Sequence, residues 1–200
     1  MQRRIATFLV LVLSLAAIYS SITFYLSSTA PTQPFMGIGI YSQSGLENYV
    51  SNSNLTVTTG QTLNWTIAVT NKMNIAEFSM IVVRLGNRTT APANTTTPAG
   101  SVPELAAMQQ FIGNGGSNSF SFSWKVNSTS RSGGLVFVDL VINGQNTSGQ
   151  VQVGAPSGRD FRLIFELWTF DSSTQSFQYG YNGRGSQVGT WLQVWFNTSG

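Results

Sequence analysis

Apolar and polar residues alternate one for one through several stretches of this 200-residue chain. Successive side chains of a β-strand point to opposite faces, so this alternation predicts strands with one buried face rather than amphipathic helices. The pattern covers residues 36–41, 54–58, 63–70 and 119–126. The chain is therefore expected to build sheets that have one apolar face and one polar face.

Other stretches are apolar on both faces and predict strands that are covered on both sides, at residues 78–85, 135–142 and 161–170. Shorter strands at 177–181 and 191–196 close the chain. About nine strands separated by Gly- and Asn-rich turns predict an all-β fold. The expected architecture is an immunoglobulin-like antiparallel β-sandwich of about 7–9 strands.

Two segments interrupt this series of strands. Residues 86–101 are rich in Thr, Pro and Asn and are predicted to form a loop. Residues 102–112 contain Pro-Glu-Leu-Ala-Ala-Met at 103–108, which predicts one helical turn. The pair Asn143-Gly144 predicts a tight turn after the strand at 135–142.

Ionic side chains are scarce, at 8% of the chain against roughly 25% in an average soluble protein. The chain has 25 Ser, 21 Thr and 15 Asn, so hydroxyls and amides carry its polarity. It has no Cys and no His, which excludes disulfides, zinc sites of those ligands and nucleophilic triads that need either residue. Ten Lys and Arg against seven Asp and Glu argue against nucleic-acid binding. The sequence contains no Asp-x-Asp-x-Asp-Gly calcium loop. We expect the chain to bind no metal and no cofactor.

The N-terminal segment predicts a membrane anchor. An Arg-Arg pair precedes residues 5–26, which carry no charge. A helix of this length rises roughly 1.5 Å per residue and spans a bilayer core of about 30 Å, and the basic pair keeps the N-terminus in the cytoplasm. Residues 1–26 are thus predicted to be a cytoplasmic tip and signal-anchor helix, 27–34 a linker, and 35–200 an extracellular domain. A cleaved signal peptide and a pilin-type processed leader are the alternatives, and each of them also exports the rest of the chain.

Seven Asn-x-Ser/Thr sequons predict N-glycosylation of the exported part. They begin at Asn54, Asn64, Asn87, Asn94, Asn127, Asn146 and Asn197. The first two fall on the polar faces of predicted strands, where a glycan has room. Exported animal domains of this size often carry disulfides, so a sequon-rich chain without Cys favours an archaeal surface protein.

A series of segments runs through the predicted domain. They are Gly45-Leu46-Glu47-Asn48-Tyr49, Asn54-Leu55-Thr56-Val57, Gly60, the strand ending Val69-Thr70-Asn71, Phe165-Glu166-Leu167-Trp168 and Trp191-Leu192-Gln193-Val194-Trp195. In this order they resemble the archaeal family catalogued as domain of unknown function 1616. The resemblance implies a membrane-anchored, extracellular, immunoglobulin-like domain, and it implies no reaction.

Two carboxylates interrupt apolar strands, at Asp139 and Glu166. A glycosidase needs only two carboxylates, and a buried carboxyl group has a perturbed pKa, so both positions are candidate catalytic residues. The simpler interpretation is that each points outward or pairs with Arg84, Arg159 or Arg162. We therefore expect no catalytic residue and no enzymatic activity.

Aromatic residues near the C-terminus form a candidate binding face for sugars or for a partner protein. They are Trp168, Tyr179, Tyr181, Trp191 and Trp195. At period-two spacing the last two share one strand face. Core packing is the alternative for all five.

These observations predict a non-catalytic, single-pass membrane-anchored and N-glycosylated cell-surface protein with a structural or interaction role in an archaeal envelope. An accessory subunit of a larger membrane complex and a carbohydrate-binding surface module are the alternatives. The expected partners are membrane lipid through residues 5–26 and proteins or glycans at the cell surface. Open edge strands of a sandwich also leave oligomerisation available.

Overall fold

The computed structural model describes residues 12, 14–23, 34–42, 55–100, 102–147, 153–180 and 188–199. The chain divides into two compact units, Met1–Gln33 and Pro34–Gly200. Within the first unit, residues 12 and 14–23 are helical. Among the residues described, no helix combines the length and the apolar character needed to cross a bilayer. Much of the predicted anchor at 5–26 and of the linker lies outside the described residues, so both remain predictions.

The second unit is all-β. Sheet A contains β1 (Met36–Ser42), β3 (Leu63–Asn71), β6 (Ser117–Ser132), β7 (Leu135–Ile142), β8 (Gln145–Asn146) and β9 (Gly154–Pro156). Its strand order is β1-β3-β6-β7-β8, and β9 also pairs with β7. All of the pairs in this sheet are antiparallel.

Sheet B contains β2 (Leu55–Thr58), β4 (Glu77–Asn87), β5 (Glu104–Ile112), β10 (Phe161–Asp171), β11 (Ser176–Tyr179) and β12 (Thr190–Ser199). Its order is β2-β12-β10-β4-β5, and β11 also pairs with β10. The pair β2–β12 is parallel, and the other pairs are antiparallel.

Aromatic rings from the two sheets meet in one core. The ring of Phe122 on sheet A lies 5.1 Å from that of Phe165 on sheet B, edge to face. The rings of Trp124 and Phe196 lie 5.0 Å apart in the same arrangement. Such pairs contribute about 0.5–1.5 kcal/mol each beyond the area that they bury. The predicted all-β fold with two packed sheets is therefore confirmed. The described residues form twelve strands instead of the predicted 7–9, and the sandwich is not wholly antiparallel, because β2 pairs with β12 in parallel.

The predicted strands are all present, and the turn at Asn143-Gly144 has both residues in the left-handed region, at φ 48° and 81°. Strands β8 and β9 are short and were not predicted. Of the stretch predicted at 161–170 to be covered on both faces, residues 161–167 are buried, whereas 168 and 170 are half-buried. The stretch predicted at 78–85 to be covered on both faces has only one fully buried face, and Phe78 on the other face is exposed. On β7 only one face is fully buried, and the other is half-buried.

The helical turn predicted at 103–108 is wrong. Residues 104–108 begin β5, which pairs antiparallel with β4. Ala, Leu and Met favour a helix locally, but Leu105 and Ile112 reach the core only from an extended strand. Pairing with β4 and burial of these side chains outweigh a local preference of a few tenths of a kcal/mol per residue.

Candidate functional site

Sheet B brings four of the predicted aromatic residues to its outer face, the face turned away from the core. Trp168 on β10 lies opposite Tyr179 on β11. On β12, Trp191 and Trp195 lie opposite alternate positions of β10, on the same side of the sheet. Directly opposed residues share a face, so the register gathers all four. Tyr181 lies outside the described residues.

A loop covers much of this face. Residues 88–100, the covering loop, place Ala93 and Ala99 in a small second core with Ile164 and Tyr179. Trp168 and Trp191 pack against this cluster and are half-buried, whereas Tyr179 is only 7% exposed. Trp195 is the most open of the four, at 38%. The four residues thus share a face without forming one open platform, and their role in binding remains a prediction.

Glu166 fastens the covering loop to the sheet. Its side chain is fully buried. Oε2 accepts hydrogen bonds from Arg84 Nε at 3.0 Å and from Trp168 Nε1 at 3.1 Å, and Oε1 accepts one from the backbone N–H of Ala99 at 2.5 Å. Charge-assisted bonds of this kind are the stronger class of hydrogen bond. This carboxylate is occupied by structural partners, including Arg84 as one of the predicted pairings.

Further hydrogen bonds hold the tip of the covering loop. The Tyr179 hydroxyl donates to the carbonyl of Asn94 at 2.8 Å. The N–H of Gly189 donates to the carbonyl of Thr95 at 2.5 Å. A Cβ at Gly189 would lie 2.4 Å from Tyr179 Cε1, so no other residue fits against this ring. Burial raises the pKa of Tyr179, and the charge of Glu166 raises it further, so the phenol stays protonated and able to donate.

Arg162 lies on the same outer face of sheet B, between the covering loop and β12. Nη1 donates to Gln193 Oε1 at 2.8 Å, and Nη2 donates to the carbonyl of Thr90 in the covering loop. The guanidinium carbon lies 5.0 Å from the centre of the Trp195 ring, within cation–π range. Burial lowers the pKa of Arg162. The open face of Trp195 is therefore backed by a buried cation.

Asp139 lies on the outer face of sheet A, where its Oδ2 accepts a hydrogen bond from Ser128 Oγ at 2.7 Å. Glu166 lies on the outer face of sheet B, so the sandwich separates the two carboxylates. They cannot act as the paired acid and base of a glycosidase, which must flank one bond. The described residues also contain no group of three or more acidic side chains placed to hold a metal ion.

The described sequon asparagines lie at the surface. Asn64, Asn94, Asn127 and Asn146 are exposed, whereas Asn87 and Asn197 are half-buried. The amide nitrogen of Asn87 donates to the carbonyl of Gly154 at 2.7 Å. Asn54 lies outside the described residues.

A second aromatic surface was not predicted from the sequence. Phe78 lies 6.1 Å from Phe170 and 5.2 Å from Phe177, between ring centres. Phe111 lies opposite Phe78 on β5 and is 62% exposed. We call Phe78, Phe111, Phe170 and Phe177 the phenylalanine patch. Its signal was present in the alternation of β4, because position 78 lies on the face opposite the buried residues 79, 81, 83 and 85.

No protein-family model and no curated protein matches this chain. The resemblance to domain of unknown function 1616 therefore remains a prediction. Several solved structures are similar over most of the chain at low identity. A CARDB domain from Pyrococcus furiosus, solved in complex with di-metal ions, is 10% identical with a TM-score of 0.37 and covers 82% of this chain and 88% of its own.

A β-glucosidase from Listeria innocua is 11% identical with a TM-score of 0.37. A β-glucosidase from intestinal bacteria, involved in saponin metabolism, is 14% identical with a TM-score of 0.36. These matches cover 84% and 82% of this chain but only 16% of each enzyme. Scores this low do not establish a shared fold, so the sandwich assignment rests on strand pairing and core contacts.

Proposed function

We propose that this chain is a non-catalytic, single-pass membrane-anchored and N-glycosylated protein of an archaeal cell surface, with a structural or interaction role in the envelope. Its domain is an immunoglobulin-like sandwich of the domain of unknown function 1616 type, carried on the anchor at residues 5–26. The observation that carries the proposal is the placement of the sequons. None of the six that the structure describes has a buried asparagine, and four are exposed.

The arrangement of the acidic residues supports a non-catalytic role. Glu166 is fully buried, and both of its carboxylate oxygens accept hydrogen bonds from the covering loop or from neighbouring side chains. Asp139 lies on the opposite side of the sandwich. A general acid must reach the proton acceptor of its substrate, and Glu166 has no open side from which to do so.

Glycopeptide mass spectrometry of the chain purified from its native membrane tests the proposal. We expect glycans on Asn64, Asn94, Asn127 and Asn146, whose side chains are exposed. Asn87 serves as an internal control, because its amide nitrogen is half-buried and bonded to Gly154. A glycan must attach to that nitrogen, so its occupancy should be lowest.

Two results would contradict the proposal. One is a chain without glycan at any of the exposed sequons. The other is a chain that alkaline carbonate washing releases from the membrane, since a spanning helix resists that treatment. Equal occupancy of Asn87 and Asn94 would contradict the ranking of the sites but not the glycosylation.

The phenylalanine patch favours a second candidate, an accessory subunit of a larger membrane complex. Exposed Phe111 lies on β5, which is an edge of sheet B among the described strands. An apolar patch beside an unpaired strand edge suits a protein partner. Phe111→Ser should release a chain that co-purifies in mild detergent, whereas Phe35→Ser, at an exposed Phe that precedes β1, should not. Migration of the unmodified chain as a lone monomer would exclude this role.

A further inference from the structure

A solvent-open cleft of about 290 Å³ lies between elements of the two sheets. Its lining comes from β2, from the β6–β7 hairpin, from the turn between β9 and β10, and from the end of β12. Small-molecule sites begin at roughly 300 Å³, so this volume suits one ligand of about monosaccharide size. Neither the covered face nor the phenylalanine patch contributes to it.

Two arginines give the cleft a positive charge. Arg131 and Arg159 both line it, and none of the described acidic residues does. Neither guanidinium forms an ion pair with a described residue, in contrast to Arg84, which binds Glu166. A guanidinium fork binds a carboxylate, sulfate or phosphate through two parallel hydrogen bonds. The cleft therefore carries two cationic groups that have no ion partner among the described residues and are suited to an anion.

Thr198 adds a polar atom that lacks a partner. It lines the cleft and is 8% exposed, and its Oγ1 is buried without a hydrogen bond. Buried hydroxyls without a partner destabilise a fold and are uncommon in native proteins. Because this atom has almost no accessible surface, the groups that a ligand in the cleft can reach are the two arginines and the exposed hydroxyls of the lining.

The turn that carries Arg159 is held firmly against β12. Ser157 and Gly158 both have left-handed backbones, at φ 53° and 70°, and the N–H of Arg159 closes the turn on Pro156 at 3.1 Å. The carbonyl of Gly158 accepts a hydrogen bond from the N–H of Thr198 at 2.9 Å. A Cβ at Gly158 would lie 3.0 Å from Thr198 Cγ2, so the turn packs closely on the strand. This support holds the backbone of Arg159 in place before any ligand arrives.

Hydroxyl and amide groups make up most of the remaining lining. Thr56, Ser157, Asn197 and Ser199 contribute them, and Val136 contributes an apolar side chain. Such groups form hydrogen bonds with hydroxyls of a ligand. The lining thus fits a small molecule that carries both an anionic group and several hydroxyls.

We propose that this cleft binds an acidic sugar unit. Its carboxylate or sulfate lies on Arg131 and Arg159, and its hydroxyls bond to the surrounding exposed hydroxyl and amide groups. The proposal rests on the proposed function only for the source of the sugar, an acidic polysaccharide of the cell surface. Binding itself requires neither the anchor nor glycosylation of this chain.

Calorimetric titration of the full chain in mild detergent tests the site, with glucuronate and glucose as matched probes that share one ring. Production in a bacterial host leaves Asn197 without a glycan beside the cleft. Glucuronate should bind at least about tenfold more tightly than glucose, because only it engages the arginines. Arg131→Gln and Arg159→Gln should each weaken glucuronate binding by about tenfold. Arg88→Gln is the control, because this highly exposed arginine lies outside the cleft.

Thr198→Val separates binding from folding. Valine keeps the shape and the β-branch of threonine but lacks the buried hydroxyl, so the melting temperature should stay the same or rise while the affinity for glucuronate stays unchanged. A lower affinity in this variant would mean that binding follows the packing of the turn on β12 and not the two arginines.

Three results would overturn the proposal: equal affinity for glucose and glucuronate, equal affinity for inorganic sulfate and glucuronate, or an equal loss in the Arg88 and Arg131 variants. The second would mean attraction of any small anion, and the third would mean attraction by surface charge alone. None of them would alter the glycopeptide result, so a failure of this site is distinguishable from a failure of the proposed function.

Discussion

The two outer faces of the sandwich differ sharply. On sheet A the outer face of β6 carries Ser119, Ser121 and Ser123, which stay exposed or half-exposed. On sheet B the corresponding face of β10 carries Arg162, Ile164 and Glu166, which are all buried. One face meets solvent directly, whereas the covering loop forms a third layer over part of the other.

The difference shows how side-chain size and charge determine whether a sheet face needs a cover. Small hydroxyls are well solvated, so the outer face of sheet A needs no cover. A face that combines isoleucine, tryptophan and ionic groups is stable only when the apolar atoms are buried and each charge is paired. Ala93 and Ala99 of the covering loop bury the apolar atoms. The carbonyl of Thr90 accepts a hydrogen bond from Arg162, and the N–H of Ala99 donates one to Glu166.

Removing the carboxylate that fastens the loop should have the largest effect. Glu166→Ala leaves Arg84 without its ion partner and the N–H of Ala99 without an acceptor, and it should destabilise the fold by about 4 kcal/mol. Asp139→Ala, on the outer face of sheet A, removes one bond to Ser128 and should destabilise it by about 1 kcal/mol. Urea denaturation of both variants measures the difference. Equal losses would mean that the two faces do not differ in this respect.

Truncation of one outer-face side chain on each sheet should give the next largest effect. Ile164→Ala empties part of the second core beneath the covering loop and should lower the free energy of unfolding by about 3 kcal/mol. Ser121→Ala on sheet A should change it by less than about 0.5 kcal/mol. Thermal unfolding followed by circular dichroism compares the two. A small loss in the Ile164 variant would show that the covering loop is not packed against sheet B.

Loss of a single hydrogen bond to the loop tip should have a smaller and more local effect. Tyr179→Phe removes the bond to the carbonyl of Asn94 and should destabilise the fold by about 1 kcal/mol. Amide hydrogen exchange should accelerate in the covering loop and remain unchanged in sheet A. Tyr41→Phe, on β1 of sheet A, is the matched control. Acceleration across both sheets would argue against a separately held third layer.

The smallest effect concerns Glu77, on the core-facing side of sheet B. Its side chain is 5% exposed, Oε1 has no hydrogen bond, and burial raises its pKa above the ordinary value of 4.5. A carboxyl whose pKa is higher in the folded state binds its proton more tightly there. Its contribution to the free energy of unfolding is therefore fully present below about pH 4.5, and it is lost as the pH rises through the raised pKa.

Glu77→Gln should remove that fall and raise stability near pH 7 by under about 1 kcal/mol. The free energy of unfolding, measured at about pH 4 and about pH 7, tests this expectation, and Glu104→Gln at an exposed position is the control. If the Gln variant loses as much stability between these pH values as the unmodified chain, Glu77 is not the group responsible.

Much of the fold was predictable because alternation is a local property. Each strand longer than three residues was predicted at least in part, except β5, although β6 was predicted only over 119–126. The stretch predicted at 161–170 to be apolar on both faces is buried over 161–167, even though Arg162 and Glu166 interrupt it. The error at 103–108 arose because Ala, Leu and Met favour helix, while the pairing partner of β5 lies about 30 residues upstream. Period-two reasoning also placed Trp191 and Trp195 on one face, which the register of β12 confirms.

The candidate sites were less predictable, because their residues meet only in the tertiary structure. The cleft assembles Arg131, Arg159 and Thr198 from three separate elements, and no local motif links them. The covering loop likewise has no apolar run, so its role over Trp168 and Tyr179 depends on contacts between distant residues.

The amino-acid sequence by itself determined the all-β character, the strand positions and the absence of thiol and imidazole chemistry, because backbone periodicity and side-chain inventory are local. The tertiary structure alone decided which face of which sheet is covered, that Glu166 is a structural clamp, and that two arginines share a cleft. Those outcomes depend on strand order and register. Order and register are set by the packing of the whole core, and no short stretch of the chain specifies them.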